Sequence, residues 1–359
     1  MATPRPSTRM REQTYPPPFP SAWYRVAGSH ELRRGGIVYR ECLGTQLVLY
    51  RSDRDDQVHA MGAFCPHMGA NLSHGRVVNG QLECPFHRWQ LAPDGRVATI
   101  PYADRVPSKP CQPTWTVHEN YGQIFVYHDA GGGARVAPPP PPYDFPAIDD
   151  IDSGRMVPRG RHDAGRVHMH LLEFAENSVD FQHFSPLHGQ MLVPWTNIRV
   201  PFVQIRHEAD WSSDPEQGHL AYFHNKAILE VFGRAIERTK ARAKITFYGP
   251  ASVVTFRIMV PDAGEILMFQ THLPVAPLEQ QVDFQWFADK ATPRWLVWYV
   301  VGNWISQWRN DIAIWENKIH LRKPLLVPGD GPIHKLRRWF GQFYPEETTP
   351  EADLENAAQ

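Results

Sequence analysis

The chain has 359 residues, 42% of them hydrophobic and 21% charged, the composition of a folded globular protein with enough length for two cores. Its 37 Lys and Arg nearly balance 38 Asp and Glu, so the formal net charge is −1 and neither nucleic acid nor an anionic membrane is called for as a partner. Four Cys exclude a disulfide framework and suit a reducing, cytoplasmic compartment, while 18 His and 12 Trp direct attention to metal ligands and aromatic-lined interiors.

Residues 1–21 read as an N-terminal tail. Arg5, Arg9 and Arg11 lie among Pro, Ser and Thr, with no apolar stretch of the kind a secretory signal needs. A disordered segment ending in the stiff Tyr15-Pro-Pro-Pro-Phe-Pro20 is expected. Residues 22–130 read as short strands, notably Gly36 to Tyr50, Val58 to Phe64 and Ile124 to Tyr127. Gly131 to Gly133 and Pro138 to Pro142 then mark a linker over 131–146. Residues 147–359 form the second domain. A helix is expected from Leu171 towards His188, stopped by Pro186. Strands follow between Leu220 and Ala288, among them Val253 to Val260 and Val282 to Phe287, and their short turns suggest an antiparallel sheet. Trp295 to His320 is long enough for a helix, and its apolar run to Ile305 is too short to span a bilayer. The fold class is therefore α+β: an N-terminal all-β domain, then a domain of helices around a central antiparallel sheet.

Cys65-Pro-His67 and Cys84-Pro-Phe-His87 form a C-x-H and C-x-x-H pair. Two thiolates and two imidazoles suit a zinc centre or a Rieske [2Fe–2S] cluster. Zinc fingers group their cysteines and their histidines. Here each loop supplies one of each, so each loop can reach both irons of a two-iron cluster. Cys42 and Cys111 lack such context and read as buried small apolar residues.

His183 and His188 lie five residues apart in the second domain. Such a pair alone is more often structural than ligating. A one-electron carrier joined to a second domain needs something to reduce, and that favours ligation. Two His and one carboxylate make the facial triad of Fe(II) oxygenases, with open positions for O₂. The carboxylate is assigned to Asp311, with Glu316 as its rival; each is otherwise a solvated helix charge.

These motifs resemble the Rieske non-haem iron oxygenases. The first pair resembles the Rieske domain over residues 22–130, and Glu176 to His188 with Asp311 resembles the catalytic chain. Respiratory Rieske proteins carry an additional Cys in each loop and a Ser aimed at the cluster. Here Ala70, Phe86 and Arg88-Trp89 stand in those places, so the potential is expected at the low end of the range, on the order of −150 mV. The resemblance implies that Asp180 hydrogen-bonds His183 and also His87 of a neighbouring subunit, in a homotrimer; otherwise Asp180 is an ordinary carboxylate orienting a histidine. It also implies a catalytic role for Asn177. Asp311 to Leu326 and Asp330 to Tyr344 resemble the 3-ketosteroid 9α-hydroxylase and cholesterol 7-desaturase branch, although an amphipathic packing helix with a basic face reads equally well in the latter.

The expected activity is that of a terminal oxygenase component using O₂ and two external electrons to hydroxylate, desaturate or demethylate a sterol or steroid. The alternatives are an aromatic or heteroaromatic substrate, and a Rieske electron carrier without the second metal. No nucleotide-binding glycine motif follows a strand, so NAD(P)H would be used by a separate reductase or ferredoxin system. The other expected partners are O₂ and an apolar small molecule. No transmembrane segment is expected, and peripheral contact with a membrane stays open.

Overall fold

The computed structural model describes residues 8–132, 135–136, 138–260 and 262–346. Two compact units result: Phe19–Phe145, and the described residues up to Pro18 together with those from Pro146 onward.

The first unit is all-β, as its alternating and turn-rich sequence requires. One four-stranded antiparallel sheet is built from Ile37–Cys42, Thr45–Arg51, Val58–Gly62 and Thr114–Trp115. A second is built from the short strands Arg76–Val78, Gln81–Glu83, Gln90–Leu91 and Val97–Thr99. Ala22–Gly28, Val117–Asn120 and Gln123–His128 make a third sheet of three strands. Beyond the proline run, Phe145 packs back on Phe125 at 4.2 Å and edge-on to Trp23. The far end of the predicted linker is thus covered by this unit's aromatic residues.

The second unit centres on a nine-stranded antiparallel sheet. The sequence reading missed two of its longest strands, Met156–Val167 and Arg199–Ser213. Both alternate in burial but carry charges on the outer positions, which hides them from a search for apolar runs. The first strand of the predicted 220–288 region is a long one, Leu220–Val231.

Among the described residues, five α-helices complete the unit: α1 (Thr8–Glu12), α2 (Asp149–Asp152), α3 (Leu171–Asn177), α4 (Arg294–Trp315) and α5 (Ile333–Gly341). The predicted helix towards His188 is in fact two pieces. Helix α3 stops at Asn177, and a single π turn, Phe184–His188, follows. Helix α4 packs against the loop before the 199–213 strand. A Cβ on Gly302 would sit 2.2 Å from the Trp195 indole nitrogen, so only glycine admits that ring. No helix among the described residues is long and apolar enough to cross a membrane.

The expected disordered tail is corrected for its described part. Arg11 is buried and donates to the backbone carbonyls of His168 (3.1 Å), Trp315 (2.6 Å) and Lys318 (3.1 Å). Tyr15 is buried, donates to Glu173 and stacks on His170 at 5.2 Å. Compositional reasoning sees Arg, Pro and Ser as solvated; it does not register that an arginine can satisfy the carbonyls where a helix ends.

His170 caps α3 in its neutral form. Its Nδ1 accepts from the Leu172 N–H at 3.1 Å, which leaves the proton on Nε2 to be donated to the Pro17 carbonyl at 3.2 Å. Burial pushes its pKa down from 6.5 to about 4. The unfolded chain therefore takes up a proton first as pH falls. The stabilisation is complete above pH 6.5 and is lost progressively towards pH 4, by about 3 kcal/mol in all. Denaturant midpoints of wild type and His170→Asn, measured from pH 7.5 to 4.5, should show a shallower decline in the variant. Equal slopes would contradict the neutral cap.

Candidate functional site: two metal-competent groups and an apolar cavity

In the first unit, two loops repeat one turn. Cys65 N–H donates to the Ala70 carbonyl at 2.9 Å, and Gly69 N–H donates back to the Cys65 carbonyl at 2.9 Å. Cys84 and Trp89 pair in the same way at 2.8 Å, and Arg88 donates to Cys84 at 3.1 Å. Gly69 (φ 73°) and Arg88 (φ 59°) hold the same left-handed position, four residues after each cysteine. Only the first of these was legible as a glycine. The turns bring Cys65 and Cys84 together as buried free thiols, with the His67 and His87 rings 4.6 Å apart. His67 also stacks on Trp89 at 4.4 Å.

Burial pushes the Cys65 thiol up to about 11, while the backbone N–H groups of His67 and Met68 pull it back down. N–H groups aimed at a sulfur are what a cluster-bound thiolate uses, so these residues fit a [2Fe–2S] centre. Cys42 is buried, as expected, but Cys111 is exposed, a correction to its reading as a core residue.

In the second unit, His183, His188 and Asp311 offer ligand atoms that all lie within 4.8 Å of one another. The π turn explains the spacing. Its i→i+5 repeat puts residues five apart on one face, and Pro186, lacking an N–H, favours the wider turn. The two rings stand 5.0 Å apart and nearly perpendicular. Asp311, only 5% exposed, comes from α4 and approaches His188 Nε2 at 3.2 Å. That approach is not a hydrogen bond: Asp311 Oδ1 and His188 Nδ1 are buried with no hydrogen-bond partner among the described residues. A carboxylate oxygen left so is costly unless a cation completes it, and the donor set suits one. Burial lowers the His183 pKa, which favours the neutral ligand form.

Three carboxamides on α4 hold the chain after the π turn. Asn310 donates to the Leu187 carbonyl (2.8 Å), Gln307 to Gln190 (2.8 Å) and Asn303 to Leu192 (2.9 Å). Their spacing along the helix matches the extended segment they bind, so Asp311 and His188 are registered by one ladder. The sequence reading did not single out these residues; the signal was carboxamides at 303, 307 and 310, three and four residues apart on one helix.

The remaining predicted residues are placed as follows. The Asp180 carboxylate accepts from the backbone N–H groups of Gln182 (3.2 Å) and His183 (3.3 Å). The His183 ring bonds the Asp180 backbone carbonyl instead, which differs from the expected carboxylate contact within the chain. Asn177 Oδ1 accepts from the Trp315 indole at 3.2 Å, and the residue lines the cavity described below. Glu316 ends α4 and accepts from the His168 N–H at 3.2 Å; it does not join the triad.

The triad lines a cavity of about 430 Å³ between the sheet and α4. The inward residues of the 241–248 strand, Ala241, Ala243, Ile245 and Phe247, all line it. Six residues of strand extend about 20 Å at 3.3 Å per residue. Small side chains at Ala227, Ala241 and Ala243 leave a slot, and Leu296, Val300 and Trp304 of α4 cover it. Phe174 and Phe247 close one end and are buried, whereas Arg238 and Tyr299 lie exposed at the other. His207 and Asn225, bonded at 3.2 Å, are polar exceptions in the lining that the sequence reading did not identify.

A two-loop Cys/His site and a buried His/His/Asp triad on these two folds define a Rieske-type iron oxygenase. Residues 22–110 match the Rieske [2Fe-2S] domain, and residues 126–344 match the 3-Ketosteroid 9alpha-hydroxylase C-terminal domain. The chain belongs to the Rieske oxygenase family. It is 31% identical to cholesterol 7-desaturase of Hemicentrotus pulcherrimus, over 96% of this chain and 74% of that one. It is 27% identical to a probable 3-ketosteroid-9-alpha-monooxygenase oxygenase component of Rhodococcus rhodochrous, over 94% and 84%. The solved structure of NdmA from Pseudomonas putida CBB5 with caffeine shares the fold, with a TM-score of 0.68, 18% identity and coverage of 92% and 93%. As a member of this family the enzyme uses a Rieske [2Fe–2S] cluster, a mononuclear iron and electrons from a reductase.

Asp311→Ala and His183→Ala should each lower the iron content by about one atom per chain while leaving the visible [2Fe–2S] absorbance intact. Glu316→Ala should change neither. Retention of that iron in Asp311→Ala, with its loss in Glu316→Ala, would reverse the carboxylate assignment.

Proposed function

We propose that the chain is the terminal oxygenase component for a sterol or steroid, with Cys65, His67, Cys84 and His87 holding the cluster and His183, His188 and Asp311 holding the iron. The observation that carries the substrate reading is the cavity. It is long, apolar and lined by the triad, and its volume is in the range of sites that bury drug-sized ligands. The names of the relatives, cholesterol 7-desaturase and 3-ketosteroid-9-alpha-monooxygenase, support the same class.

A cluster held by Cys65, His67, Cys84 and His87 would supply one-electron transfer, and an iron held by His183, His188 and Asp311 would supply O₂ activation for attack on a C–H bond. The residues of the chain prepare that step. The ladder of Asn303, Gln307 and Asn310 fixes the chain around His188 against the helix that carries Asp311, and the three triad residues line the cavity offered to substrate. Apolar walls such as Phe223, Ile245 and Phe256 exclude water, which would otherwise quench a reactive oxidant. The Asp180 backbone carbonyl accepts a hydrogen bond from His183 Nδ1–H, which leaves Nε2 as the nitrogen that would hold a metal.

The electron route assigned here runs between subunits of a homotrimer in the cytoplasm, from a cluster loaded by a separate reductase or ferredoxin. Phe64, Met68 and Phe86 are exposed apolar residues around His67 and His87, which suits burial of that tip against another chain. The Asp180 carboxylate would accept from the partner's imidazole there, with Asn177 beside it in the active site.

Purified enzyme with a surrogate reductase and NADH, offered sterols, steroids and simple aromatics, should convert members of the first two groups. Turnover confined to aromatics would refute the substrate class. In Asp180→Asn, both metals should load, because the ring bond of His183 is made by the backbone. Turnover should fall on the order of 10–100-fold, while dithionite still reduces the cluster. An unchanged rate would remove Asp180 from the electron route.

A further inference from the structure

We propose that Gln270, backed by His272, is a hydrogen-bonding anchor for one oxygen substituent of the substrate at the closed end of the cavity. The inference rests on the sterol or steroid reading above and deepens it. Gln270 lies on the strand Gly264–Ala276 and lines the cavity, yet is 0% exposed. Its inward neighbours on that strand, Ile266 and Met268, are apolar, as are its cross-strand partners Val254 and Phe284. Apart from His272, which backs it, the amide is set among apolar neighbours on its own and the adjacent strands.

One atom of that amide is already used. Gln270 Nε2 lies 2.9 Å from His272 Nε2, and His272 is itself 0% exposed with its ring 4.3 Å from Phe174. Burial pushes the His272 pKa down to about 3, so the imidazole is neutral and offers one donor and one acceptor. The other amide atom, Gln270 Oε1, is buried with no hydrogen-bond partner among the described residues. His272 thus fixes one side of the amide and leaves the other for a ligand. In this orientation the carbonyl accepts from a hydroxyl. Turned over, with His272 donating to the carbonyl, the amide presents its NH₂ to a ketone.

The position of the pair sets the substrate's direction. Phe284, the cross-strand partner of Gln270, packs on Trp308 at 5.2 Å, and Trp308 lies one helical turn before Asp311. Gln270 and the triad therefore belong to the same end of the cavity. Phe247, two strands away in the same row, marks that end, and Ala241 and Arg238 lie towards the exposed one. An oxygen-bearing ring would enter first and be oxidised in the ring system near that oxygen. The rest of the skeleton would run along the Ala243 and Ala241 slot.

The test is equilibrium binding to the full-length holoenzyme, read by quenching of tryptophan fluorescence, since Trp304 and Trp308 line the cavity. Three probes share a skeleton: cholesterol, cholest-4-en-3-one and the oxygen-free 5α-cholestane. Wild type should bind at least one oxygenated probe more tightly than cholestane, by on the order of 10–100-fold. Gln270→Leu, similar in volume, should bind all three within about twofold of one another. A Gln270→Leu protein that keeps the wild-type preference overturns the anchor. Equal binding of the three probes by wild type also overturns it, and needs no variant to fold. That equal binding would leave the sterol reading standing; failure to bind any of the three overturns both.

Discussion

The arrangement that the second unit exists to hold is the approach of Asp311 to His188, 3.2 Å apart, buried and not hydrogen-bonded. In a chain without a ligand to complete it, such a pair is a net cost, and neighbouring groups must keep it from relaxing. They do so from several directions. The α4 carboxamides bind the strand that follows His188. Gly302 lets Trp195 seat against the middle of α4. At its far end, Arg11 satisfies the Trp315 carbonyl, and Trp315 in turn donates to Asn177. An N-terminal segment distant in sequence thus anchors the end of the helix that supplies the acid.

Charge around α3 follows the same logic. Glu173 and Glu176, both buried, face Lys318 at 2.6 Å and Arg337 at 2.6 Å respectively. Burial pushes Glu173 towards its neutral form, and the lysine opposes that shift. Removing one partner from such a pair leaves an uncompensated buried charge, which is far more costly than the pair is favourable. The network therefore specifies where α3 and α5 sit more than it adds stability. His183 lies only six residues beyond the end of α3, so this packing bears on where the triad sits.

Much of this was legible in the sequence, and for identifiable reasons. Cys65, His67, Cys84 and His87 announce themselves because a cluster demands fixed residue types in short loops. Val253–Val260 was delimited by its apolar run, and the antiparallel sheet by its short turns. The rest was hidden by physics that acts over long sequence distance. Charges on the outer face of Met156–Val167 masked a strand whose inner face is packed. The π turn arises from Pro186 together with the pull of α4, and periodicity over one helix cannot reveal it. Arg11 and Tyr15 look solvated until the carbonyls and carboxylate they meet are known. Gln270 could have been flagged as a polar residue directly after the apolar stretch from Ile266 to Phe269, but only its missing partner gives it meaning.

The central claim is that one chain holds two separate iron centres, a cluster in the all-β unit and a mononuclear site on the π turn and α4. Iron and acid-labile sulfide, measured per chain after anaerobic loading with Fe(II) and removal of unbound metal, test it most directly. The account predicts about three iron atoms and about two sulfides per chain. About two of each would mean that the buried triad holds no iron, and the chain would then be an electron carrier and not an oxygenase.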